Sequence, residues 1–345
     1  MVDKDYCMSS FLTFRYVVDN KITFKEGINR PIYSLPEKEY KIKTSDDIDY
    51  VIQKEICPIV DEKTAIMLSG GMDSAILATY LPEGTKAYTL ECQAEGAVKE
   101  TKEAKYYADI CKLDHRVVDI TWEDYLEYTP ICMKQKGAPV HSIEPMIYKA
   151  ALQAKVDGCT KLLFGELADL KFGGMDGLLA KDWTKDEFKK RFTYVEPETV
   201  LKNHRNINEP FEIYDKANYY NTYEFTNEIY LFEAYQSFSN ACKLSGTEYV
   251  TPFVYMYLDI PLDLNRIRNG ESKYLIRELF EKRYPGLKPL KKMPMPRAVG
   301  IWLKDWKGPI RDEFLPNCIE GLSGDQKWYV YVLEWFLNLI EGNTS

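Results

Sequence analysis

Along the chain, short apolar runs alternate with amphipathic stretches in the pattern of an open parallel sheet. Near the start, residues 11–18 and 22–24 read as strands separated by the turn-prone Asp19, Asn20 and Lys21, which predicts a hairpin followed by a Pro-containing connector. Ser45 is then placed to cap a helix whose Ile48, Val51, Ile52 and Ile56 share one face, and Pro58 ends it. From there strands and helices take turns through TAIML, SAILATYL, KAYTLEC, KETKEAKYYADICKL, HRVVDIT, PMIYKAALQAKVDG and TKLLFGE. Such an order predicts an α/β fold, a twisted parallel sheet with helices on both faces. After Trp183 the pattern becomes mainly helical and aromatic, ending in QKWYVYVLEWFLNLI, whose all-round apolarity predicts a helix packed into the fold.

Composition narrows the functional classes. With 345 residues, 45% of them apolar, the chain can bury a large core, and its formal charge of −8 argues against nucleic acid as a partner. No apolar stretch approaches the roughly 20 residues that span a bilayer, and the start MVDKDYC lacks the order of a signal peptide, so no membrane partner and a cytoplasmic location are expected. The eight cysteines are scattered without a C-x-x-C pair, which indicates neither a zinc site nor a disulfide framework.

The stretch LSGGMDS, residues 68–74, carries the first chemistry. A strand ending at Leu68, then Ser69, Gly70 and Gly71, then a helix starting near Asp73, presents backbone N–H groups to an anion, with Ser69 and Ser74 adding hydroxyls. Asp73 would repel a phosphate directly and makes sense there as a ligand for magnesium that bridges to phosphates. An ordinary Gly-Gly turn capped by Asp73 is the structural alternative.

LSGGMDSA resembles the S-G-G-x-D-S loop of PP-loop ATP pyrophosphatases, of the adenine nucleotide α-hydrolase-like fold. FGELADLKFGGM (164–175), ACKLSGTEYVTPF (241–253), ESKYLIREL (271–279) and PLKKMPMPRAVG (289–300) are similar, in order, to segments of the synthetase domain of asparagine synthetases. GGMDGLLAKDW also resembles β-lactam synthetase. The resemblance implies ATP and Mg2+ as cofactors, with Asp73 and Asp169 as the magnesium carboxylates. Glu166 stands as a base for the attacking nitrogen, Lys292 as the cation at the α-phosphate, and Lys273 as a lysine near the pyrophosphate. Leu68 and Leu90 would border the adenine, and Gly165 would join Ser69, Gly70, Gly71 and Ser74 around the nucleotide.

Several positions depart from the family pattern. Leu290 replaces the arginine of R-x-K, Leu170 an acid, and Phe164 a serine, while HSIEPM (141–146) stands where R-x-S-T-P helps to define the aspartate pocket. Residue 2 is Val2 rather than a catalytic cysteine, which implies that the N-terminal glutaminase domain is missing. Residues 1–44 are then expected to be a remnant hairpin arm and connector, and 45–345 the ATP-pyrophosphatase domain with its helical C-terminal part. The implied activity is an ATP-dependent amide-forming ligase. It would adenylate a small-molecule or peptide carboxylate, with release of pyrophosphate, and take ammonia, an amine or the product of a separate glutaminase subunit. Intramolecular closure to a lactam or macrolactam, and a non-catalytic nucleotide-binding role, are the alternatives. The aromatic segment YDKANYYNTYEF (214–225) is a further candidate pocket lining beside ordinary packing.

Overall fold

The computed structural model describes residues 1–217, 219–290, 295 and 297–342. Its strands, in chain order, are β1 (Tyr40–Ile42), β2 (Thr64–Met67), β3 (Lys86–Cys92), β4 (Asp114–Ile120), β5 (Lys161–Leu163), β6 (Asp215–Lys216), β7 (Tyr219–Tyr220), β8 (Glu248–Val250) and β9 (Met256–Leu258). Five of them form one sheet in the order β4-β3-β2-β5-β8, with all four pairings parallel. Successive residues of β2 feed opposite faces: Ala65 and Met67 join one apolar cluster, Ile66 the other. The predicted α/β class is therefore present, with a mainly helical part after residue 183.

Sheet order fixes where a ligand can sit. The chain runs outward from β2 to β3 and β4, then crosses back over β2 to reach β5 and β8. Crossovers leave in opposite directions from the carboxyl ends of β2 and β5, so a crevice opens between those two strand ends. Both glycine-containing loops emerge there.

The N-terminal segment differs from the expected hairpin. Helix Lys4–Phe14 replaces the first strand, and residues 22–24 contribute only an isolated bridge between Thr23 and Val2. Asp3 caps the helix by accepting the Tyr6 N–H, and every residue from Cys7 to Phe14 is buried, so no polar face marks a helical period. Ser9 and Thr13 return their hydroxyls to the Asp5 and Ser9 carbonyls at 2.8 and 2.9 Å, which satisfies polar groups inside the core. This helix packs with the C-terminal helix Gly324–Glu341, Phe11 meeting Tyr329 at 5.4 Å between ring centroids.

Other elements lie close to expectation. Helix Ser45–Ile56 begins one residue after its cap, Thr44, which makes a capping box with Asp47. Helix Trp122–Lys136, which holds Pro130, and strands β1, β8 and β9, of three residues each, had no clear pattern in the sequence. Among the described residues no helix is long and apolar enough to cross a membrane.

Candidate active site

After β2, Leu68 still donates to the Tyr88 carbonyl of β3 at 2.8 Å, and Ser69 then turns the chain out of the sheet. The turn is held by its own hydroxyls: Ser69 Oγ and Ser74 Oγ are 2.9 Å apart, Ser74 Oγ accepts the Ser69 N–H, and Ser69 Oγ accepts the Gly71 N–H. The following helix, Met72–Ala78, has Gly71 as its N-cap with no side-chain cap. Both Gly70 and Gly165 are fixed by close approach. A Cβ on Gly70 would lie 2.5 Å from Glu103 Cβ, and one on Gly165, just after β5, 2.7 Å from the Ser74 nitrogen.

Lys273 joins the two loops. It adopts a left-handed backbone (φ 54°) just ahead of helix Tyr274–Arg283, is 3% exposed, and sends its ammonium to 2.6 Å from Asp73 Oδ2 and 2.9 Å from Asp169 Oδ1. Burial disfavours the charge, yet Asp73 and Asp169 outweigh it and hold the ammonium above the usual lysine range. Asp169 is set by the glycine pair behind it: Gly174 N–H donates to the Asp169 carbonyl at 2.7 Å, and a Cβ on Gly174 would strike Asp169 Oδ1.

Glu166 stands at the end of β5, before Leu167 in the left-handed region (φ 74°). Thr251 anchors its backbone by donating to the Glu166 carbonyl at 2.9 Å. Burial, with the neighbouring Asp169 charge, pushes the Glu166 carboxyl up to about 7, against a hydrogen bond from the Leu167 N–H. A group poised there exchanges protons near neutral pH.

These residues share one cavity of about 550 Å³. Leu68, Ser69, Gly71, Asp73 and Ser74 line it from the first loop, Gly165, Glu166 and Asp169 from the second, and Leu90 and Lys273 complete the set. Gly70 does not face the cavity but packs on Glu103, and Lys292 lies outside the described residues. Two carboxylates converging on one cation suit magnesium, which takes one or two protein carboxylates and leaves its other positions to phosphate and water.

Sequence reasoning missed Glu100. It is buried in the cavity wall, accepts the Gly70 N–H, and is pushed up to about 7 by burial and then by Glu103. Nothing in KETKEAK distinguishes this glutamate from a solvated one. Phe164 and Phe238 form an aromatic wall, their rings 5.2 Å apart, where the serine of the family pattern would be small and polar. The HSIEPM segment does not line this cavity: Glu144 is buried against Lys136 and accepts from Asn240 at 2.8 Å. Tyr214, Tyr220 and Phe225 of the aromatic segment fill a separate apolar cluster.

The sequence family, rather than the parallel sheet, gives the class of the protein, an ATP-using synthetase or ligase. The family described as asparagine synthase matches residues 57–249, more than half of the chain, and the chain belongs to that family. No curated protein sequence matches it. Among solved structures, NMN synthetase from Francisella tularensis is 13% identical over 72% of this chain and 96% of its own, with a TM-score of 0.28. The U34-tRNA thiolase NcsA from Methanococcus maripaludis is 15% identical over 72% and 82%, with a TM-score of 0.27. Likenesses this loose carry no weight for function.

Proposed function

We propose that the protein is an AMP-forming amide ligase: it activates a substrate carboxylate as the acyl-adenylate and passes the acyl group to ammonia or an amine. The observation that carries this reading is the convergence of Asp73 and Asp169 on Lys273 beside the SGGMDS loop, with Glu166 on the same cavity wall. The substrate carboxylate oxygen attacks the α-phosphorus, and the bond to the bridging oxygen breaks, releasing pyrophosphate.

Ser69, Gly71 and Ser74 border the leaving phosphates, while Leu68 and Leu90 border the adenine. Asp73 and Asp169 would hold Mg2+, whose charge offsets that of the pyrophosphate. Lys273 adds a buried positive charge at the same place and fixes both carboxylates. In the second half, the attacking nitrogen gives a proton to the Glu166 carboxylate and displaces AMP, restoring the neutral amide. Lys292 is assigned to the α-phosphate by its place in the matched loop. Cys7 is fully buried with its thiol pushed up to about 12 by burial, which suits packing rather than nucleophilic release of ammonia.

The test is ATP–pyrophosphate exchange across amino acids, sugar acids and short peptides, with the nucleotide product identified. AMP is expected with an accepted acid. ADP as the product would overturn the reading.

A further inference from the structure

A second cavity, of about 600 Å³, opens beside the first and has a basic lining. Its inner wall is Arg15, its mouth the exposed Lys190 and Arg191, and its sides include Tyr194 and Tyr230. Arg15 follows helix Lys4–Phe14 in the left-handed region (φ 67°) and is 7% exposed. Its guanidinium carbon lies 4.2 Å from the Tyr230 ring centroid, 5.1 Å from that of Tyr194 and 5.4 Å from that of Phe192.

Arg15 Nε forms a loose ion pair with Glu233 Oε2 at 3.9 Å, and neither Nε nor Nη2, both buried, has a hydrogen-bond partner. Close to Arg15, the buried Tyr329 hydroxyl also lacks a partner. Buried donors of this kind are rare in folded proteins and call for an acceptor. The fork geometry matches carboxylate or phosphate oxygens in pairs.

The two cavities are neighbours. Met175 lines the second cavity and the next residue, Asp176, lines the first. Tyr230 closes a π-helical turn, Thr226–Tyr230, that runs into helix Leu231–Ser245, which carries Glu233, and such turns are frequent at functional sites. Burial raises the Glu233 carboxyl, opposed by Arg15.

We infer that this cavity binds a second anionic group of the substrate, a carboxylate or phosphate remote from the carboxylate that is activated, through the Arg15 guanidinium with Lys190 and Arg191 at the entrance. The inference rests on the ligase reading for the word substrate, and on the cavity alone for the anion. The substrate is then an extended acid with two negative groups, too long for the nucleotide cavity alone.

Succinate, inorganic phosphate and acetate are titrated onto the full chain by calorimetry and thermal shift, with α,β-methylene-ATP bound. Succinate or phosphate is expected to bind and raise Tm, whichever binds tighter giving the class of the anion, and acetate to be weak. Arg15→Met is expected to lose at least about tenfold in affinity and also to lower Tm, because it leaves Glu233 buried without its ion-pair partner, so its binding is read below its melting range. Arg15→Lys keeps the charge but not the fork and is expected to recover only part of the binding. The exposed pair Lys190→Gln with Arg191→Gln tests the entrance without touching the core. Anion binding unchanged in both Arg15 variants and in the double variant would overturn the inference, as would no binding to the unaltered chain. A chain that fails to bind α,β-methylene-ATP would instead overturn the ligase reading.

Discussion

The Lys273 ammonium lies 2.6 Å from Asp73 Oδ2, joining two residues 200 positions apart in the chain, and the same ammonium reaches Asp169 at 2.9 Å. One buried cation thereby sets the distance between the loop after β2 and the loop after β5. Without it, two carboxylates would face each other across the crevice with only solvent and their remaining neighbours to separate them.

Lys273→Met is therefore expected to fail twice. Removing one member of a buried charge cluster costs about 3 kcal/mol of stability, read as a lower urea midpoint with an unchanged m-value. Pyrophosphate exchange falls by on the order of a hundredfold even below the melting range, because the charge at the leaving group is gone. Full exchange activity in a folded Lys273→Met protein would remove Lys273 from the proposed site.

Glu166 sets a pH dependence with a defined direction. Its carboxyl is pushed up to about 7 by burial and by Asp169, and only the carboxylate accepts a proton, so the amide-forming step rises with pH through about 7 and then levels. Glu166→Gln should leave pyrophosphate exchange nearly intact and slow amide formation by on the order of a hundredfold or more, with the rise near pH 7 abolished. Loss of both half-reactions together would mean that Glu166 acts on the adenylate instead.

Glu100 links the same pH range to stability. In the folded chain its carboxyl is pushed up to about 7 from an ordinary 4.5, so the folded state keeps a proton that the unfolded state releases, and stability falls as pH rises through that window. Glu100→Gln, which can still accept the Gly70 N–H, is expected to raise stability by on the order of 2 kcal/mol at about pH 8 and to change little at about pH 4. The same substitution removes a negative charge beside the phosphate loop and should tighten ATP binding. Chemical melts at the two pH values, with ATP titrations alongside, check both.

How much of this was legible in the sequence depended on length and locality. The β2 strand, its glycine turn and the next helix are contiguous, so SGGMDS read correctly as a turn into a helix, and the largely buried β3 and the edge strand β4, with Val118 and Ile120 turned inward, seven residues each, carried enough apolar pattern to place the sheet. Helix Lys4–Phe14 misled because complete burial erases the difference between a period of 3.6 and one of 2. Glu100 and Arg15 were missed for another reason. Their significance lies in burial and in what lies across the fold, and neither a charge in the polar KETKEAK nor a single arginine in the apolar run at residues 11–18 announces it.

Two glycines give the sharpest contrast in the site. At Gly165 an added Cβ would lie 2.7 Å from the Ser74 nitrogen and 2.9 Å from the Asp73 carbonyl carbon, backbone atoms that have no rotamer to escape into. Gly165→Ala must push strand and helix apart, so it is expected to cost about 2 kcal/mol and to weaken ATP binding together. At Gly174 the first atom struck is the Asp169 Oδ1 carboxylate oxygen, the end of a side chain that can swing away. Part of that strain remains, since the Cβ also comes to 2.8 Å from the Asp169 Cα, but the larger consequence is that Asp169 leaves Lys273. Gly174→Ala should therefore lose more activity per unit of stability than Gly165→Ala, and its magnesium requirement should shift to higher concentration. Melts and magnesium titrations of the two variants side by side decide this, and an unchanged magnesium requirement in Gly174→Ala would argue that Asp169 serves only to hold Lys273.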